Sequence, residues 1–167
     1  MSKTAKAKSK SISKTKKKAK LASALSGVAG EFFVAAELSR RGYIATLTQR
    51  NAKGIDILVS NADGSKLASL QVKTNQKSQT YWLLNDKAEL LTSPQLFYVM
   101  VNLVGSSGHP EYHIVPSNIV AKEITDSHRE WLRTPGKKGQ ARKDNTMRQI
   151  PMPEGKYIGR WDLLGLD

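Results

Sequence analysis

The chain has no cysteine, so disulfides, cysteine-ligated zinc and a thiol nucleophile are all excluded. It has no apolar run near the ~20 residues that a bilayer-spanning helix needs. Nor is there a convincing signal peptide, because Leu21 to Gly27 is too weakly apolar to serve as its core. The expectation is a soluble, intracellular, cytoplasmic protein with no membrane contact. Histidines number only 3, His109, His113 and His128, and their spacing suits no metal site, so they read as structural. Acids are scarce as well, 14 against 27 lysines and arginines, which leaves a formal charge of +13.

That charge is unevenly spread. Residues 1–20 hold nine lysines and no acid, so the rest of the chain carries +4 once nine is taken from +13. Such a Lys/Ser/Thr/Ala-rich tail cannot bury enough apolar surface to offset its ordering entropy and is expected to be disordered when free. Its predicted use is salt-sensitive attraction to phosphates; the alternative is a solubilising or non-native extension. Residues 21–167 have the length of a single domain with a real core.

Periodicity divides that domain. Leu25, Val28, Phe32, Ala35, Ala36 and Ser39 recur at helical spacing and Gly42 follows as a stop, predicting a helix over 21–41. Strands are expected over 43–49, 54–61, 66–75 and 111–115. A nearly continuous apolar run over 95–104 reads as a central strand buried on both faces. A short helix is expected over 86–92, a turn at 105–108, and a helix from 116–118 to 131–133 with Ser117 or Asn118 as N-cap. Residues 134–153 read as a polar, basic loop, too long to be an idle connection. Its Lys137, Lys138, Arg142 and Lys143 are candidate contacts to a nucleic-acid backbone, and Arg148 adds a further basic side chain. The motif at 134–139 lacks the spacing of a phosphate-binding loop. Residues 156–166 should dock a last strand or short helix. Trp82, Trp131 and Trp161 read as packing residues, with Trp82 a minor candidate for stacking on a base. The whole predicts an α+β sandwich, a mixed sheet flanked by helices.

Asp63-Gly64 lies between two apolar runs and signals a two-residue type I′ hairpin. Counting outward from it sets Ser60 against Leu67, Leu58 against Ser69 and Asp56 against Gln71. The other face is then apolar, with Ile55 against Val72, Ile57 against Leu70 and Val59 against Ala68. A slip of one residue would expose that set, so the register is well specified. Lys73 returns to the face carrying Asp56 and Gln71. A carboxylate, an amide oxygen and an ammonium on one face suit a hard divalent cation held against a phosphodiester. The Val72 carbonyl is a candidate third oxygen. Glu31, on the first helix between Gly30 and Phe32, is the candidate further carboxylate.

Through Gly30-Glu31, the run Gly54 to Val59, and Leu70-Gln71-Val72-Lys73-Thr74, the chain resembles the PD-(D/E)xK, or restriction-endonuclease-like, superfamily. Small bacterial proteins with this nuclease core also resemble it over 112–167. The resemblance implies an αβββαβ core, Mg²⁺ or Mn²⁺ as cofactor and DNA as partner. Asp56 and Gln71 would be metal ligands, Lys73 the catalytic lysine and Glu31 the accessory carboxylate. It implies a homodimer too, since such nucleases often pair to cut both strands, although the sequence identifies no interface. Two positions depart from the commonest pattern. Gln71 stands where most members carry a second acid, a variation that recurs in active methyl-directed restriction enzymes, and Ile55 replaces the proline. The expected function is metal-dependent endonucleolytic hydrolysis of DNA. The alternatives are an inactive DNA-binding protein or a protein-interaction (adaptor or immunity) module on the same fold.

Overall fold

The computed structural model describes residues 21–49, 54–76, 81–103, 108–151 and 155–167; the lysine-rich residues 1–20 and most of the turn predicted at 105–108 lie outside these. The chain begins with α1 (Ser23–Arg40), β1 (Ile44–Leu47), β2 (Ile57–Ser60), β3 (Leu67–Asn75) and β4 (Tyr81–Asn85). A short 3-10 helix (Asp86–Glu89) leads to β5 (Leu96–Asn102), β6 (Glu111–Pro116) and α2 (Ser117–Arg133). Then come β7 (Met147–Pro151) and a second 3-10 helix (Trp161–Leu164).

The main sheet has five strands in the order β1-β2-β3-β5-β6, with only β3 and β5 parallel, so it is mixed. All seven residues of β5 are buried, as its unbroken apolar run requires of a strand covered on both faces. One face, carrying Ile57, Leu70 and Val99, packs under Val34 and Leu38 of α1. The other sets Tyr98, Met100 and Val115 against Val120 and Ile124 of α2. Full burial of each such aliphatic side chain contributes roughly 1.5–3 kcal/mol.

The hairpin between β2 and β3 has the predicted register, with Ile57 opposite Leu70 and Ser60 opposite Leu67. Its turn differs. Asp63 has negative φ and only Gly64 (φ 74°) is left-handed, which rules out type I′. Asn61 O accepts from Gly64 N–H (3.1 Å), and the Asp63 carboxylate accepts from Ser65 N–H (2.9 Å) and Ser65 Oγ (2.6 Å). These local bonds hold a four-residue loop that keeps the same pairing beyond it.

The buried face of α1 also differs from the predicted stripe. Ser26, Gly30, Val34 and Leu38 point inward, while Phe32 is 60% exposed. The reason is close approach, since a Cβ on Gly30 would sit 1.9 Å from Thr74 Oγ1 of β3. Small residues line the contact, and the bulky ones turn out. Ser117 is not the N-cap of α2: Pro116 holds that place, and the Ser117 hydroxyl instead donates to Ser93 O (2.9 Å) and accepts from Ser93 N–H (3.0 Å).

The segment 134–153 is not loop throughout, because β7 pairs antiparallel with β4 in a separate two-stranded ribbon. Neither strand is among the sequence expectations. In β7 the inward residues are Arg148 and Ile150, so the alternation reads as polar. Arg148 is buried; it bonds the Glu89 carboxylate and the Asn145 and Met147 carbonyls, and therefore serves the fold. Arg148→Met should strand Glu89 without its cation and cost about 3 kcal/mol, a drop of about 6–12 °C in melting midpoint by thermal denaturation. Trp82 is buried too, its indole N–H on Val101 O (3.4 Å), which removes it as a base-stacking candidate. Among the described residues no helix is long and apolar enough to cross a membrane.

Candidate active site

Asp56 sits one residue before β2, where the ladder to β3 ends. Its backbone is held on both sides: its N–H donates to Leu70 O (2.8 Å), and its carbonyl accepts from Thr48 N–H (3.0 Å). Past the end of β2, the Val72 N–H needs an acceptor, and Asp56 Oδ2 takes it at 2.7 Å. The carboxylate is thereby fixed just before β2 on the backbone of the residue after Gln71; the paired ladder stops at Ile57 and Leu70 and the Asp56 N–H reaches Leu70 O, so the expected pairing of Asp56 with Gln71 is not among those formed.

Lys73 is the electrostatic centre of the group. Burial is the larger influence and lowers its pKa below the ordinary lysine value, while the carboxylates of Asp56 and Glu31 pull it back up. Both acids therefore act on one ammonium, although they come from different elements, one a helix and one a strand. The contact of Gly30 with Thr74 brings Glu31 there. Thus Glu31, Asp56 and Lys73 are brought into one field, and Gln71 stands two residues before Lys73 on the same strand.

Gln71 and Lys73 also face a cavity of about 730 Å³. Its lining also includes Asn85, Lys87 and Tyr98, the last fully buried on β5 and directly across the parallel pairing from Gln71. Burial, with a further contribution from the Asp56 charge, pushes the Tyr98 phenol up to about 12. Leu84 of β4, Ala88 of the first 3-10 helix and Leu90 and Leu91 just after it complete the lining. Gly54 (φ 74°) lies beside Leu91, whose Cδ2 would be 2.5 Å from a Cβ at that position. Sequence reasoning missed Tyr98, because the parallel register that sets it beside Gln71 is a tertiary fact.

The basic residues are placed elsewhere. Lys137, Lys138 and Lys143 are exposed. Arg142 lies 4.6 Å over the Trp131 ring, and its Nε donates to Thr134 O (2.8 Å). The segment ends next to the cavity, since Asp86 N–H donates to Thr146 O (2.9 Å) just beyond Asn85. His113 is buried against Glu111 (2.8 Å), and His128 meets Asp144 (2.7 Å).

Among the described residues, no three or more of His, Cys, Asp and Glu converge as a metal cluster. The oxygens gathered are two carboxylates and an amide. That set is compatible with Mg²⁺, which commonly takes one or two carboxylates and keeps water and substrate phosphate in its other positions.

No family model and no curated protein matches the chain. Among solved structures it is similar to a bacterial homing endonuclease, I-Ssp6803I, at 10% identity over 86% of this chain and 92% of that one, with a TM-score of 0.51. Hjc, a Holliday junction resolvase of the archaeon Archaeoglobus fulgidus, matches at 14% identity over 75% of this chain and 83% of its own, with a TM-score of 0.43, too loose a likeness to carry weight. At 10% identity the similarity is one of fold. It is a distant likeness to PD-(D/E)xK-fold nucleases: an α+β core whose mixed sheet is flanked by helices in the αβββαβ arrangement.

Proposed function

We propose that this chain is a divalent-metal-dependent nuclease that hydrolyses DNA phosphodiester bonds. The observation that carries the reading is Lys73, half-buried, in the field of both Asp56 and Glu31, and facing an open cavity with Gln71. The fold shared with a homing endonuclease supports it.

Asp56, Gln71 and Glu31 would offer oxygens to Mg²⁺ or Mn²⁺. The cation, when bound, supplies polarisation of a phosphoryl oxygen and a lower pKa for a bound water. Asp56 keeps Oδ2 on the Val72 N–H, so its carboxylate is held in one orientation before any substrate arrives. Lys73 supplies a point charge that orients the attacking water or stabilises negative charge growing on the phosphate oxygens. Lys137, Lys138, Arg142 and Lys143, with the tail lysines, attract the backbone without reading bases.

The test is incubation of the full chain with plasmid, branched and single-stranded DNA under Mg²⁺ and under Mn²⁺. Cleavage that EDTA abolishes is the expected result. Salt-sensitive binding without cleavage under either ion would instead favour a non-catalytic DNA-binding protein.

A further inference from the structure

We propose that Lys87 and the Asn85 amide hold a second phosphate of the bound DNA, near the one that Lys73 meets, so that the cavity receives a run of sugar–phosphate backbone. The inference rests on the nuclease reading for one point, the identity of the polyanion as DNA.

Both charged side chains that line the cavity are cations, Lys73 and Lys87, and no carboxylate lines it. Lys73 lies in the field of Asp56 and Glu31, so its charge is already engaged. Lys87, by contrast, is exposed and forms no ion pair among the described residues. Glu89, two residues on, is taken up by the buried Arg148. An ammonium so placed can meet a phosphate as a point charge.

The backbone that carries Lys87 is held at several points. Asn85 Oδ1 accepts from Lys87 N–H (3.1 Å), and the N–H groups of Leu90 and Leu91 donate to Lys87 O (3.2 and 3.1 Å). Between them, Asp86 N–H is tied to Thr146 O (2.9 Å). The first of these bonds also orients the Asn85 amide. Its oxygen is occupied, and its NH₂ has no acceptor among the described residues. Asn85 and Lys87 therefore offer the cavity only donors, the complement of phosphate oxygens. A volume of about 730 Å³ far exceeds what one phosphate fills. Two cations carried independently, one by β3 and one by the 3-10 helix after β4, suit two neighbouring phosphates of a strand.

The test measures binding of the full chain to a labelled DNA duplex in EDTA over a series of salt concentrations. Lys87→Gln should weaken binding and lower the slope of log K against log salt by about 1, the loss of one phosphate contact. Lys87→Arg should keep the wild-type slope. Asn85→Asp retains an acceptor for Lys87 N–H but sets a carboxylate where the NH₂ stood, so it should weaken binding without lowering the melting midpoint. Lys66→Gln removes the same charge just before β3, outside the cavity, and should leave the slope unchanged. Added dTMP should not raise the wild-type melting midpoint, since the site is built for a strand and not for a free nucleotide. An unchanged slope for Lys87→Gln, an equal loss for Lys66→Gln, a lost slope for Lys87→Arg, undiminished binding by Asn85→Asp or stabilisation by dTMP would each overturn the proposal. Absence of cleavage under Mg²⁺ and Mn²⁺ would sink the nuclease reading, while the slopes in EDTA still decide what Lys87 and Asn85 hold.

Discussion

Asp56→Asn is expected to lower DNA cleavage about a thousandfold or more while leaving the fold intact, because it removes charge from the centre where negative charge and metal are handled. The amide oxygen that replaces the carboxylate can still accept from the Val72 N–H, so the melting midpoint should stay close to that of the wild type. Asp56→Ala separates the two roles of the side chain. It leaves the Val72 N–H, bonded at 2.7 Å in the wild type, without an acceptor, which costs about 1–3 kcal/mol in addition to the lost activity. Thermal melts beside plasmid cleavage distinguish these outcomes. If separately purified Asp56→Asn cuts within tenfold of the wild type, Asp56 does not serve the chemistry.

Lys73→Met should reduce cleavage about a hundredfold to a thousandfold, since one preorganised donor at developing charge is worth that much. Its pH behaviour gives a second readout. Burial outweighs the neighbouring carboxylates, so the folded chain releases this proton below the ordinary value of 10.5. Between the lowered value and the ordinary one, the unfolded chain holds more protons, so stability rises with pH across that window. In metal-free buffer the wild type should therefore gain stability relative to Lys73→Met as pH approaches 10.5, the upper edge of the window. The cleavage rate should fall on the alkaline side at a lower pH than a solvent-exposed lysine would give. Lys73→Arg, charged at every working pH, should lose that fall even where its rate is low. An unchanged alkaline profile for Lys73→Arg would count against the ammonium as the titrating group.

Much of the hairpin beside the candidate site was legible because two strands alternate in phase. Apolar residues at 57, 59, 68 and 70 leave one register free of exposed core, and that register forms; it stops at Ile57 and Leu70, so Asp56 meets β3 through its carboxylate on the Val72 N–H rather than by pairing with Gln71. The turn was less legible. Asp-Gly favours type I′, but the carboxylate of Asp63 and the amide of Asn61 bond nearby backbone N–H groups and stabilise a longer loop. The face of α1 was misread for a different reason. Apolar periodicity assumes that large residues point inward, whereas a helix lying close to a sheet buries Ser26 and Gly30 and leaves Phe32 outside. Glu31 still falls beside the strands, because its neighbour Gly30 marks the point of nearest approach. The β4–β7 ribbon was hidden by Arg148, a charge occupying an inward position that its partner Glu89 makes tenable. Tyr98 could not be found at all, since its pairing with Gln71 joins strands separated by β4 and a turn.

The ribbon has a consequence of its own. Gln71 and Lys73 belong to the five-stranded sheet and Asp56 immediately precedes its β2, whereas Leu84, Leu90 and Leu91 belong to β4 and the segment after it. The polar candidate-site residues and the leucines that line the same cavity therefore rest on separate foundations. On the proposed nuclease reading, substitutions in the smaller one would redraw which DNA shapes are admitted without moving Asp56, Gln71 and Lys73, leaving substrate choice and hydrolytic power free to diverge under selection.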